Sequence, residues 1–214
     1  MPTLIYVADP MCSWCYGFGP ELVSLLDGLP GLQVEVVVGG LRAFNTTVMD
    51  DSMRDELMVH WEKVHAASGL TMRDDAIIQA GFIYDTEPAC RAVVTARSLV
   101  PQSALPVFHA IQNAFYAEGR DVTQGHVLAE VACAALATVD VQQHPDAFIA
   151  LWSSAAIRQA TVADFDLTKH WNIDGFPMLI LERNGQLDMV TSGYARMPAL
   201  IDQLQMLVDN STQH

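Results

Sequence analysis

The chain has 214 residues, 51% of them apolar, which suits one large domain or a small domain carrying a sizeable insertion. Its 25 acidic against 11 basic side chains give a net charge of −14, which repels nucleic acid and anionic membrane surfaces. No run approaches the ~18 uninterrupted apolar residues of a membrane span, and four unevenly spaced cysteines are too few for a secreted disulfide framework.

A short apolar run at residues 4–8 reads as a first strand. It starts almost at Met1, leaving no room for the basic and apolar segments of a secretion signal, so a cytoplasmic location is expected. The turn Cys12-Ser13-Trp14-Cys15 follows, then a helix to about Leu29 that Pro30-Gly31 breaks. Residues 32–38 alternate into a second strand ending at Gly39-Gly40. Strand, helix and returning apolar strand predict a βαβ unit with a parallel pair.

From residue 46 to 172 the pattern is helical. Asp51-Ser52 is suited to cap a helix through His65 with Leu57, Trp61 and Val64 on one side. A short helix is expected over 73–80, and Pro88 suits the first turn of a helix over 89–100. Further helices are expected over 106–117, 123–137 with Thr123 as cap, 144–158, and 162–170. Strands over 177–183 and 187–192 then flank Asn184-Gly185, a strong hairpin signal. A last helix over 197–208 aligns Leu200, Leu204 and Leu207.

The order is β-α-β, a helical block, then β-β-α. Neither strand-rich end can cover its own faces, so the two must share one sheet. This predicts an α/β fold with one domain from residues 1–45 and 173–214 and a helical insertion over 46–172.

Two cysteines spaced Cys-x-x-Cys at a helix start can close a small disulfide or open to a dithiol. The unpaired N–H groups and partial positive charge there favour a thiolate, the reactive species in thiol–disulfide exchange. Half of a zinc site is the alternative, but a second pair is missing: Cys90 and Cys133 stand alone in helical patterns and read as small buried hydrophobes. His60 and His65 miss the i,i+4 spacing of a helical ligand pair, so no metal is expected.

The segment Asp9-Pro10-Met11-Cys12-Ser13-Trp14-Cys15-Tyr16-Gly17 resembles the Asp-x-x-Cys-Pro-Trp-Cys signature of the cytoplasmic, FrnE-like branch of the DsbA family. Gly175-Phe176-Pro177 sits where that family's thioredoxin fold places a cis-proline. Gly39-Gly40-Leu41-Arg42 and Glu87-Pro88-Ala89-Cys90-Arg91-Ala92 resemble a bacterial group described as predicted protein-disulfide isomerases. The resemblance implies a thioredoxin fold with a large all-helical insertion and a thiol–disulfide oxidoreductase activity. Cys12, at the exposed lip of the turn, would be the nucleophile and Cys15, a turn deeper, the resolving thiol. Protein or small-molecule disulfides and dithiols would be the substrates, with no bound cofactor and glutathione as a candidate redox partner.

The resemblance also sets the remaining expectations. Pro177 would be cis and face the sulfurs, with Phe176 offering its backbone to an extended peptide and Trp14 adding apolar surface. Asp9 is a candidate proton relay or, equally, the anchor of an Asx-type turn beside Pro10. Two positions depart from the family. Ser13 replaces its proline and brings a hydroxyl that can reach the Cys12 sulfur, and Tyr6 stands where periplasmic members carry a buried acid. A glutathione-dependent isomerase or transferase of the kappa-class or hydroxychromene-carboxylate type is the rival reading, though those enzymes replace the first cysteine with serine. A non-catalytic peptide-binding chaperone is the third.

Overall fold

In the computed structural model, which describes residues 2–211 and side chains as far as Leu204, four strands form one sheet in the order β2-β1-β3-β4. β1 (Thr3–Ala8) pairs in parallel with β2 (Gln33–Val38) and antiparallel with β3 (Met178–Arg183). β4 (Gln186–Ser192) closes the hairpin through Asn184-Gly185, both at positive φ as this turn requires. The two ends of the chain thus build a single sheet around β1, as expected.

β1 is buried on both faces, which explains why it reads as an unbroken apolar run. Leu4, Tyr6 and Ala8 join the main core, shared with helix α1 (Ser13–Gly28) and the inserted helices. Ile5 and Val7 face the other way, onto Val37, Ile173 and Ile180. The insertion carries α2 (Asp51–Ser68), α3 (Glu87–Leu99), α4 (Ala104–Gln112), α5 (Gly125–Ala137), α6 (Pro145–Trp152) and α7 (Ala155–His170). α8 (Met197–Ser211) follows β4 and buries Leu200 and Leu204, while the Leu207 side chain lies outside the described residues. No helix among the described residues is long and apolar enough to cross a membrane.

The outer edge of β2 is closed by side chains from α3 and α7. Asp164 accepts the Val38 N–H at 3.0 Å and Arg97 donates to the Val36 carbonyl at 2.6 Å. The two also pair with each other at 2.8 and 2.9 Å. Their charges satisfy the edge groups that would otherwise invite another strand.

Several local expectations are corrected. α2 is capped by Asp50, whose carboxylate accepts the Met53 N–H at 2.8 Å, rather than by Asp51 or Ser52. Residues 73–80 form turns and not a helix: the Ile77 and Ile78 N–H groups both fall on the Asp74 carbonyl, tight i+3 bonds follow, and Gly81 at positive φ turns the chain away, while the Arg73 N–H is tied to the Tyr116 carbonyl at 2.7 Å. Thr123 does not cap α5: its hydroxyl donates to Asp121 at 2.6 Å and Gln124 takes the cap position. The long helix expected over 144–158 breaks at Ser153-Ser154. The Ser154 hydroxyl caps α7 by accepting the Ile157 N–H, and α7 then runs unbroken to His170. Finally, the helix expected over 106–117 ends at Gln112 and continues as a π-helical turn, Asn113–Ala117.

Candidate active site

The turn between β1 and α1 is shaped by Asp9. Its carboxylate accepts the Met11 N–H at 2.8 Å and its carbonyl accepts the Cys12 N–H at 3.0 Å, an Asx-type turn. Cys12 is therefore the residue preceding the helix, in extended conformation, where serine or aspartate commonly caps. Its sulfur makes no capping bond and instead lies 3.7 Å from the Phe176 carbonyl oxygen. The expected exposed lip is corrected: Cys12 is only 5% exposed, because the peptide of residue 176 lies against it.

Cys15 is fully buried one turn along. Burial pushes its thiol well above 9.0, and the neighbouring Cys12 sulfur adds to this, while the Asp9 N–H opposes it. Tyr6 lies beside it, its hydroxyl donating to the Cys15 carbonyl at 3.4 Å. Burial raises the Tyr6 hydroxyl well above 10.0, so a neutral phenol occupies the place of the periplasmic acid.

Asp9 does more than hold the turn. It is fully buried, and its second oxygen accepts the Leu41 N–H at 2.6 Å and the Cys90 thiol at 3.5 Å, with the Thr86 hydroxyl also bonded to the carboxylate. Thr86 accepts the Arg42 N–H at 3.1 Å. The two segments that resemble the bacterial group, residues 39–42 and 87–92, therefore converge around one buried carboxylate. Burial raises the Asp9 pKa above 3.8, and these donors only partly offset it. Cys90 is buried as expected, and it also holds this carboxylate. Cys133 is half-buried and outside the site.

The Phe176–Pro177 peptide is cis. Pro177 is buried, and its carbonyl accepts the Gly193 N–H at 2.7 Å. The half-buried Phe176 ring packs on Gly39, where an added Cβ would fall 2.1 Å from its Cζ. Trp14 is half-buried against Tyr194, with ring centroids 5.6 Å apart, and Phe18 is core packing. Among the described residues no hydrogen bond joins the Ser13 hydroxyl to Cys12, and no three His, Cys, Asp or Glu side chains gather as a metal site.

Cys12, Cys15, Asp9 and Phe176-Pro177 thus come together, with Ser13 and Trp14 on the first turn of α1. The sequence reading missed Tyr84 and Tyr116, whose hydroxyls both donate to the Met11 carbonyl. It also missed Thr86 and Leu41 around Asp9. None of these belongs to a local motif with a chemical signature; the only hint was that residues 39–42 and 87–92 both carried the resemblance.

The sequence matches the DSBA-like thioredoxin domain over residues 3–205, and the chain belongs to that family. A candidate protein disulfide isomerase from Nitrosomonas europaea is 34% identical, over 98% of both chains, with a TM-score of 0.86. The cytosolic disulfide reductase DsbM from Pseudomonas aeruginosa is 25% identical, over 97% of this chain and 98% of that one, with a TM-score of 0.77. DsbM has also been solved with GSH. The 2-hydroxychromene-2-carboxylate isomerase shares the fold at 15% identity, over 99% of this chain and 98% of that one, with a TM-score of 0.67. Among curated proteins, nothing matches the sequence.

Proposed function

We propose that the protein is a cytoplasmic thiol–disulfide oxidoreductase that works in the reducing direction, with glutathione as its electron donor. The observation that carries this reading is the pairing of Cys12 and Cys15: one sulfur at a helix N-terminus beside the Phe176 carbonyl, the other a buried thiol a turn behind it.

In the first step the Cys12 thiolate attacks one sulfur of a substrate disulfide. A Cys12–substrate S–S bond forms, the substrate S–S bond breaks, and the second substrate sulfur leaves as a thiolate that takes a proton. Cys15 then loses its proton and attacks the Cys12 sulfur. This releases the remaining substrate thiol and leaves a Cys12–Cys15 disulfide, so the substrate has gained two electrons. Two glutathione thiols restore the dithiol and depart as glutathione disulfide. The electrons stay on sulfur throughout, so no resident cofactor is required.

Substrate approach displaces the contact between the Cys12 sulfur and the Phe176 carbonyl. Trp14, Phe176 and Pro177 form the surface on which the substrate backbone rests. The glutathione arm draws support from the likeness to a cytosolic disulfide reductase solved with GSH. The retention of cysteine at position 12 separates this reading from the glutathione-dependent isomerases.

The test is reduction of insulin and of a small disulfide, coupled to glutathione, with the Cys12→Ala protein beside the wild type. Loss of turnover in the variant is expected. Undiminished turnover would overturn the proposal.

A further inference from the structure

We propose that Tyr84 and Tyr116, both supplied by the helical insertion, are positioning residues that set the redox equilibrium of the Cys12–Cys15 pair by bracing the peptide bond preceding Cys12. This rests on the oxidoreductase reading above and assigns the inserted helices a part in it.

The Met11 carbonyl accepts from both tyrosine hydroxyls, Tyr116 at 2.6 Å and Tyr84 by a shorter bond, and the two hydroxyl oxygens are 3.5 Å apart. A carbonyl oxygen has two lone pairs, so its acceptor capacity is filled. The other end of the same peptide, the Cys12 N–H, donates to the Asp9 carbonyl at 3.0 Å. Both polar ends of the Met11–Cys12 peptide are therefore held, and with them the Cα that carries the reactive sulfur.

These donors are built in. Tyr84 and Tyr116 are 2% and 0% exposed. Tyr116 reaches the turn from the π-helical segment Asn113–Ala117, whose wider turn leaves Phe115 and Tyr116 both buried; such turns recur at functional sites. Its ring stacks on Tyr16 of α1 at 4.7 Å. Tyr84 arrives from the loop before α3, two residues ahead of Thr86, which bonds Asp9. Burial raises both phenols, so each remains a protonated donor across the pH range of thiol exchange.

The energetic consequence has a definite sign. When Cys12 acts as a nucleophile its sulfur carries negative charge, on the residue whose backbone N–H shares a peptide with the Met11 carbonyl. Two O–H dipoles on that oxygen offset its negative end. Without them the negative end of that carbonyl, one residue from the thiolate, is uncompensated, whereas the uncharged Cys12–Cys15 disulfide hardly responds. Removing the hydroxyls therefore disfavours the reduced form.

The experiment follows enzyme dithiol plus glutathione disulfide going to enzyme disulfide plus two glutathione, at pH 7, for wild type, Tyr84→Phe, Tyr116→Phe and the double variant. Each single change should raise the equilibrium constant about threefold and the double change about tenfold, which is about 30 mV more reducing. Alkylation of Cys12 by iodoacetamide should slow in the same order. Tyr16→Phe is the control: its hydroxyl donates to the Thr71 carbonyl at 3.2 Å, away from Met11, so the constant should not move. A purely structural role would lower the melting temperature and leave the constant unchanged, and that result overturns the inference. Should the double variant fail to fold, the single variants decide. A wild type that does not exchange with glutathione would end the oxidoreductase reading itself; one that exchanges with an unshifted variant constant ends only this inference.

Discussion

The sulfur of Cys12 lies 3.7 Å from the carbonyl oxygen of Phe176, which is 164 positions later in the chain. The contact joins the first strand-to-helix turn to the entry of β3, so it exists only because the two ends of the sequence share one sheet. The Phe176 ring is seated by the absence of a side chain at Gly39, at the end of β2. Three separate segments thus meet at Phe176.

Gly39→Ala should break this arrangement. The new methyl would fall 2.1 Å from the Phe176 ring, so the ring and its backbone must move. Overpacking of this kind costs about 1–3 kcal/mol. Disulfide-reductase kcat/KM should fall at least about tenfold, since a small misplacement at a reacting centre is costly. Urea melts and steady-state kinetics on the same preparation measure both. Wild-type activity in a destabilised variant would show that the seat of Phe176 serves folding alone.

Cys15→Ser should trap the reaction half-way. Cys12 would still attack a disulfide, but no thiol would remain behind it to resolve the product. Incubation with glutathione disulfide should give one stable glutathione adduct, mapped to Cys12 by mass spectrometry. Cys12→Ser should give none at the active-site turn.

The resolving step should be pH-dependent. Burial holds the Cys15 thiol well above 9.0, so only a small thiolate fraction exists at neutral pH. That fraction grows tenfold for each pH unit below the pKa. Stopped-flow resolution of a preformed Cys12–glutathione adduct should therefore accelerate from pH 7 to 9 without a plateau. A plateau near pH 7 would mean that Cys15 is activated in the mixed disulfide by a group absent from this geometry.

Asp9→Asn should weaken the fold around the turn. The carboxyl group accepts from Met11, Leu41, Thr86 and Cys90, and even when protonated it keeps lone pairs on both oxygens, whereas an amide puts an NH2 with donors alone in place of one of them. The expected loss is about 1–3 kcal/mol. Its pH dependence has a fixed sign. The folded pKa is raised above 3.8, so the folded state binds the proton more tightly than the unfolded chain. The wild-type advantage over the variant should be fullest below pH 3.8 and shrink as pH rises through the raised folded pKa. Paired denaturant melts from pH 3 to 7 check this; an advantage that grows with pH would contradict the assigned shift.

Much of this fold was legible in the sequence because its signals are local. β1 and β2 are short apolar runs bounded by turn residues, Asn184-Gly185 dictates a hairpin, and Pro30-Gly31 ends a helix. The Cys-x-x-Cys and the Gly-Phe-Pro each have a spacing that survives without three-dimensional information. What failed depended on contacts between distant segments. Residues 73–80 have helical periodicity, yet they turn at Asp74 and at Gly81 and are tied by the Arg73 N–H to the distant Tyr116. The sequence puts Cys12 at an exposed lip because nothing near it along the chain reveals that residue 176 covers it. By sequence Asp9 suits a turn anchor and a relay equally. Its turn bond to Met11 is local, whereas its bonds to Leu41, Thr86 and Cys90 come from elements 32 or more positions away. Tyr84 and Tyr116 left no local trace, since a tyrosine that reaches a distant carbonyl looks the same in sequence as one that fills a core.

The central claim, that Cys12 and Cys15 exchange electrons as a pair, is tested most directly by a redox titration read by peptide mapping. The wild-type protein is equilibrated across a series of glutathione to glutathione-disulfide ratios, quenched by alkylation and digested. A single reversible transition is expected, in which two thiols disappear together and the new disulfide links Cys12 to Cys15, while Cys90 and Cys133 stay alkylatable after unfolding. A Cys12–Cys15 pair that remains dithiol at every ratio, or a transition carried by Cys90 or Cys133, would contradict the account.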